Sequence, residues 1–378
     1  LATPALADPM PNPTESASDF VPQMIGMALS GRRPGNKEAL LKAYGGNAVT
    51  EAAVTLGLKW LKRQQRKNGL WSLMGPYEDG AGVENLDAAT AMALLAFQGA
   101  GHTHLGDRQN PFQPVVAKAW KALLRRQDDS GNFFQQGPDH HRFYTHAQCT
   151  IALCELFGMS GDEELRWPAQ AAVDYLVQTQ TPQGGWRYHP GQDNAPSVTG
   201  WLVMALQSAR MAGLEVPSET FERVSEFLDR VAKYDGERYA YRPRDGATPA
   251  MTAEGLLCRQ YLGWQHDEPR LELGCDYLLE HLPVYERNKR NVYYWYYATQ
   301  VCHHMEGHWW QEWNARMRQI LPANQERRGR ERGSWDPRGD RRGTSGGRLY
   351  VTCLSIYMLE VYYRHLPIYQ KGLVHGAL

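Results

Sequence analysis

The chain lacks an excess of either charge. Its 378 residues carry 41 Lys and Arg against 41 Asp and Glu, so it has none of the basic surplus by which a nucleic-acid-binding surface displaces counterions. It also lacks a long apolar run, since no stretch approaches the roughly 20 residues that a membrane-spanning helix requires. Cysteine is scarce, with six in all. Cys149 and Cys154 fall on one helical pattern and point in different directions, so buried thiols fit better than a disulfide framework. What the chain has in quantity is aromatic surface, 12 Trp and 20 Tyr, in a composition that is 42% hydrophobic. That is enough to bury one large core without division into several domains.

The stretch Leu1-Ala-Thr-Pro-Ala-Leu-Ala7-Asp8 reads like the end of a signal peptide cleaved after Ala7. It predicts an exported or periplasmic protein, with a cytoplasmic one as the alternative. Residues 1–48 are rich in Pro, Ser, Asn and Gly around one short apolar run at 24–29, which predicts an extended arm. Helical periodicity takes over at residues 49–367, and a short tail, 368–378, follows.

Within the periodic region one module recurs. Gln180-Thr-Pro-Gln-Gly184-Gly185-Trp186 ends a helix, turns the backbone and supplies a bulky wedge. An apolar helix from Ser197 to Gly213 follows. Gln65, Gly69 and Trp71 repeat the spacing before a helix over 88–99, as do Gln127, Gly131 and Phe133 before a helix that reaches Gly158 or Gly161. A fourth copy has Asp235-Gly236 and Tyr239 in place of Gln and Trp, a fifth carries Val292-Tyr-Tyr-Trp-Tyr-Tyr297, and a sixth runs from Trp310 through Gln325 and Trp335 to Tyr363. Six helix pairs at a period of roughly 50 residues predict a repeat architecture. The near-total apolarity of each second helix predicts that these form an inner ring buried on every side, so that the array closes.

The Gln-x-x-x-Gly-x-Trp spacing at Gln65, Gln180 and, with Phe, Gln127 is that of the QW motif. Over residues 50–367 the chain resembles the squalene-hopene cyclase and prenyltransferase repeat superfamily. The resemblance implies an all-α fold, a single closed α/α toroid of six helical hairpins (an α6/α6 barrel). It further implies a terpene cyclase-like or prenyltransferase-like protein with a polyprenyl or triterpenoid ligand. Two family signatures are missing: no Asp-x-Asp-Asp-Thr-Ala motif occurs, nor an Asp-x-Cys zinc site.

In such a ring the loops before the inner helices gather at one end, and the polar residues opening those helices converge there into an aromatic bowl with a few carboxylates and histidines. Asp193 is the favoured acid, with Asp87 as partner and His141 as a candidate base; as residues just before or at a helix start, both Asp also suit N-capping. His146, Tyr144, Trp201, Tyr241, Tyr294, Trp295 and Tyr350 are the candidate ligand-binding residues. Cys302-His303-His304 with Glu306 and His308 look metal-like, but Gly307 breaks the helical spacing and the cluster lies at the far end of an inner helix, so neither a metal nor another cofactor is expected. Arg327 to Arg348 form a basic, Gly-rich insertion, either a solvated loop or an anion-binding lid. An apolar or polyprenyl small molecule is the expected partner, and peripheral membrane contact stays open. The same rim would serve a carbohydrate-active hydrolase or lyase, and the bowl alone would serve a non-catalytic binding protein.

Overall fold

The computed structural model describes residues 29–106, 109–366 and 368–369. The expected cleavage site after Ala7 and most of the tail lie outside these residues. Inside the stretch expected to be an extended arm, a helix forms, α1 (Pro34–Ala43), entered through Pro34 at its first position, where the missing N–H costs nothing.

Six helix pairs follow. The outer members are α2 (Ala48–Gln64), α4 (Gln113–Leu124), α6 (Arg166–Gln178), α8 (Ser218–Val231), α10 (Pro269–Leu279) and α12 (Gly307–Ala323). The inner members are α3 (Leu86–Gly99), α5 (Arg142–Ser160), α7 (Pro196–Met211), α9 (Pro249–Tyr261), α11 (Val292–Met305) and α13 (Gly343–Arg364). Each inner helix packs on the next, and α13 returns to pack on α3. The chain is therefore a closed all-α toroid. Every residue of α3 from Asp87 to Gly99 is buried, whereas α8 buries only one face, which separates the two rings by composition.

The repeated Gln is the clasp between neighbouring pairs. Gln180 Nε2 donates to Gly184 O within its own turn (2.9 Å) and to Thr220 O on the next outer helix (3.0 Å). Gln65 and Gln127 do the same toward Val115 O and Pro168 O. Gln325 donates to Gly333 O and to Ala53 O on α2, so the last clasp joins the sixth pair to the first. The Trp is the wedge: the Trp71, Trp186 and Trp335 indoles donate to Leu61 O, Leu176 O and Leu321 O. All three are fully buried. Gly184 has no substitute, because it sits at φ +90° and a Cβ there would meet Arg223 O at 1.9 Å.

The inner helix accepts the wedge's backbone through its first turns. Trp71, Trp186, Tyr239 and Trp335 donate their N–H to Thr90, Thr199, Thr252 and Thr352 hydroxyls, each at 3.0 to 3.1 Å. In the fourth pair a two-residue antiparallel ladder, Ala232–Lys233 with Arg238–Tyr239, makes the turn, and the Tyr239 hydroxyl accepts from Arg259 Nε at 3.0 Å. The Arg- and Gly-rich insertion is folded onto the barrel. Glu331 accepts the Trp60 indole N–H and the Glu78 amide, and Arg348, 2% exposed, bonds Glu78 O, Asp79 and Ser334.

Candidate active site

Because the pairs are antiparallel, all six inner helices start at one end, and their first turns surround a cavity of about 910 Å³. Its wall is aromatic: Tyr144, Tyr188, Trp201, Tyr241, Tyr293, Trp295 and Tyr350 line it. Met92, Gln148 and Trp201 lie deepest along their helices. The mouth is polar and basic, with His140, His141, His281, Lys289, Arg341 and Arg342. Inner-helix N-termini add partial positive charge at this end, so the mouth favours an anionic group.

Of the residues singled out in the sequence, His141, Tyr144, Trp201, Tyr241, Tyr294, Trp295 and Tyr350 all line this cavity. Burial and the neighbouring His140 lower His141 to about 4, so it is a neutral imidazole at pH 7. The other three lie elsewhere. Asp193 is an exposed partner of Arg187 and also accepts from the Asn194 amide (2.7 Å). Although partial burial opposes it, these bonds hold its carboxyl below the usual range, the reverse of what an acid needs.

Asp87 is fully buried and accepts from Arg126 and from the Gln135 amide. It tethers the second turn to α3, while Asn85 caps that helix by accepting from the Ala88 amide (2.9 Å). His146 occupies the place that Thr90, Thr199, Thr252 and Thr352 hold in four of the other pairs. Its Nδ1 accepts from the Phe133 amide (3.2 Å) and its Nε2 faces Ala172 O (2.9 Å), so it is a neutral structural group, lowered by burial to about 4. The geometry thus argues against the Asp193 and Asp87 pair and against His146 as a ligand contact.

Glu280 is the carboxylate among the lining residues, but a second carboxyl, Glu254 on α9 and 1% exposed, lies behind the wall in contact with the lining residue Tyr293. Burial raises it to about 8, against the opposing pull of Tyr293, Tyr297 and Arg342. Hydrogen bonding gives the same answer. The Tyr293 hydroxyl touches both Glu254 Oε1 and Ser197 O (3.0 Å), and a phenol has one proton for two acceptors. Both contacts are satisfied when Tyr293 donates to the carbonyl and a neutral Glu254 donates to Tyr293. The Tyr144 hydroxyl donates to Ser197 Oγ at 2.9 Å, so Glu254, Tyr293, Ser197 and Tyr144 form one connected wall. Through Tyr293 the buried proton reaches the cavity surface. Among the described residues no cluster of three or more His, Cys, Asp or Glu could hold a metal ion.

Fold and site together define a closed α/α toroid with a deep aromatic pocket at the inner-helix N-termini. No protein-family model matches the chain. No curated protein matches it either. Solved structures do: the type II terpene cyclase MstE from Scytonema, in complex with merosterolic acid A, is 13% identical over 84% of this chain and 98% of its own, with a TM-score of 0.57. Cellobiose 2-epimerase from Bacillus thermoamylovorans is 12% identical over 82% and 96%, with a TM-score of 0.60. An α-1,6-mannanase of Salegentibacter sp. is 11% identical over 84% and 99%, with a TM-score of 0.54. At these identities the likeness is one of fold.

Proposed function

We propose that the protein is a terpene cyclase- or prenyltransferase-like enzyme that takes a polyprenyl or triterpenoid substrate into the aromatic cavity and moves a proton through Tyr293 and Glu254. The observation that carries this reading is one buried carboxyl, neutral at pH 7, wired to the wall of a cavity of about 910 Å³ lined by tyrosine and tryptophan. Aromatic faces bind an apolar chain and stabilise positive charge developing on it. The basic mouth suits an anionic head, as in a prenyl diphosphate. An acid titrating near 8 is matched to proton transfer at neutral pH but is weak for protonating an unactivated alkene. The proposed chemistry is therefore proton transfer to or from an activated carbon or oxygen.

The test is incubation with squalene and prenyl diphosphates and, separately, with a panel of glycans, with product read by mass spectrometry. Glu254→Gln should lower turnover about 10²- to 10⁴-fold while substrate binding persists. Unchanged turnover in that variant would remove Glu254 from the mechanism. A second reading has support from the rim, where His140, His141, Asn288 and Asn291 offer hydrogen bonds suited to sugar hydroxyls. Product from a glycan and none from any prenyl compound would favour a carbohydrate-active enzyme instead.

A further inference from the structure

Toward the end of the barrel opposite the mouth lies a second space of about 20 Å³, room for about one water-sized particle. Leu95, Ile151 and Met204 make part of its lining apolar, while Tyr261, Tyr296, Glu155, Arg364 and His365 make the rest polar. Most of those polar groups are donors in want of an acceptor. Arg364 is 3% exposed, and its buried Nε has no hydrogen-bond partner among the described residues. The same holds for His365 Nε2. The Tyr296 hydroxyl donates to the Met204 thioether at 3.7 Å, a weak acceptor. The Tyr261 hydroxyl reaches Gln300 Oε1 at 3.5 Å, the limit of a hydrogen bond. Charge points the same way. Arg32 and Arg364 bring two positive charges, and Glu155, which meets them at 2.7 and 3.3 Å, returns one. Glu360 accepts from Arg364 Nη1 at 3.0 Å, but burial raises it to about 8, so it is neutral at pH 7. Lys37, the other cation acting on Glu360 from α1, is balanced by Glu51 at 2.9 Å. His303, His304 and His365 all lie well below 6.5 and stay uncharged. The cluster therefore holds one more positive charge than it has negative charge to meet, and a buried unmatched charge is costly.

We propose that this space is a binding site for one monatomic anion, chloride at physiological salt, held by Arg364 Nε and the Tyr261 and Tyr296 hydroxyls. The site is independent of the isoprenoid reading and of the aromatic cavity. Its volume excludes sulfate, phosphate and carboxylates, whereas a chloride is only slightly larger than a water molecule. Chloride brings no protons of its own, which suits a lining rich in donors. A water would fill the space but leave the extra charge unmatched. Glu155 lines the same space and opposes the ion, which keeps the affinity moderate. Gln207, also in the lining, and His365 are only half-buried, so the ion exchanges with solvent at this end without passing the mouth. Once bound it stabilises the folded chain, and more so as its concentration rises.

The experiment places the full chain in chloride-free gluconate buffer at pH 7 and follows its melting temperature as chloride, bromide or sulfate replaces gluconate at constant ionic strength. Chloride and bromide should raise the Tm along a saturable curve, and sulfate should not. A crystal soaked in bromide should show an anomalous peak within hydrogen-bonding distance of Arg364 Nε. Raising the pH to 9 ionises Glu360, which then supplies the missing negative charge, so halide affinity should fall. Tyr296→Phe and Tyr261→Phe each remove one donor without changing the charge, and each should weaken halide binding about tenfold, the usual effect of losing a hydrogen bond to a charged partner. If one variant does not fold, the other carries the comparison, and the bromide peak stands apart from both. An equal response to sulfate, no bromide at Arg364, or unchanged halide affinity in the phenylalanine variants overturns the site.

Discussion

The two ends of the barrel follow opposite rules. At the mouth, Arg341 and Arg342 are exposed and make no ion pair among the described residues, and the half-buried His141 faces the cavity. At the sealed end, charges are paired out of water. Arg32 Nη1 meets Glu155 at 2.7 Å, and Arg364 meets Glu155 at 3.3 Å and Glu360 at 3.0 Å; all four side chains are at most 3% exposed. Arg32 also donates to Arg364 O, so the segment before α1 plugs the axis. The two guanidinium groups overcome burial and hold Glu155 below the usual carboxylate range, while burial pushes Glu360 up to about 8, so Glu155 carries the negative charge of the cluster and Glu360 is a neutral hydrogen-bond partner of Arg364 at pH 7. Exposed, unpaired charges at one end are free to meet a ligand, and charges paired out of water at the other make a rigid floor.

The largest break in that contrast should come from Glu155→Ala. It leaves Arg32 buried without a carboxylate and Arg364 with only Glu360. Chemical denaturation should show a loss of about 3–5 kcal/mol, the usual consequence of removing one partner from a buried pair. A loss under about 1 kcal/mol would mean that the sealed end is no more dependent on its charges than the mouth.

The pH profile comes next, since the buried groups act in opposite senses. His304 is lowered by burial to about 3 and His146 to about 4, and His303 lies well below the usual 6.5. An unfolded histidine takes a proton near 6.5 and these do not, so their stabilisation is complete above 6.5 and is lost as pH falls from there toward the folded values. Glu254 and Glu360 hold protons up to about 8 that the unfolded chain releases near 4.5. Their stabilisation is complete below 4.5 and is lost as pH rises toward 8. Each uncompensated proton changes stability by about 1.4 kcal/mol per pH unit. The melting temperature should therefore peak near pH 6.5, falling toward pH 8 through the two carboxyls and toward acid through the histidines. A Tm that rises steadily from pH 6.5 to 8 would contradict the neutral state of Glu254.

Much of the sealed architecture was legible in the sequence, because it rests on spacing. Gln65, Gln127 and Gln180 recur with a Gly and an aromatic at the same short offsets, Gln325 with Gly333 and Trp335 across a longer turn, and a clasp repeated along the chain leaves a period. The cavity wall was legible for a related reason: residues such as Tyr144, Trp201 and Tyr350 sit near the starts of apolar helices, and antiparallel pairing brings those starts together. The acid was not. Position before a helix does not say which way a carboxylate turns, and Asp193 turns to Arg187, while Asp87 turns to Arg126. Glu254 lies one turn inside α9, where it reads as an ordinary helical residue. The signal available was its isolation, an acidic side chain between Ala253 and Gly255 on a helix otherwise expected to face only apolar neighbours. His146 could also have been placed by aligning the repeats, since it stands where Thr90, Thr199, Thr252 and Thr352 stand in its sisters.

The smallest effect expected is at the mouth, where it sharpens the contrast most. Tyr144→Phe removes one hydroxyl, whose bond to Ser197 Oγ is 2.9 Å long, from a half-buried ring on the cavity wall. A single neutral hydrogen bond of this kind contributes about 0.5–1.5 kcal/mol, and Ser197 Oγ can turn to the open cavity for another partner. Denaturation should therefore register a change near the bottom of that range. Ligand affinity or turnover should change more than stability does, because the same hydroxyl belongs to the wall that carries Tyr293 and Glu254. If stability fell as far as in Glu155→Ala while function stayed intact, the tyrosines of the mouth would be structural, and the division of the barrel into a binding end and a sealing end would fail.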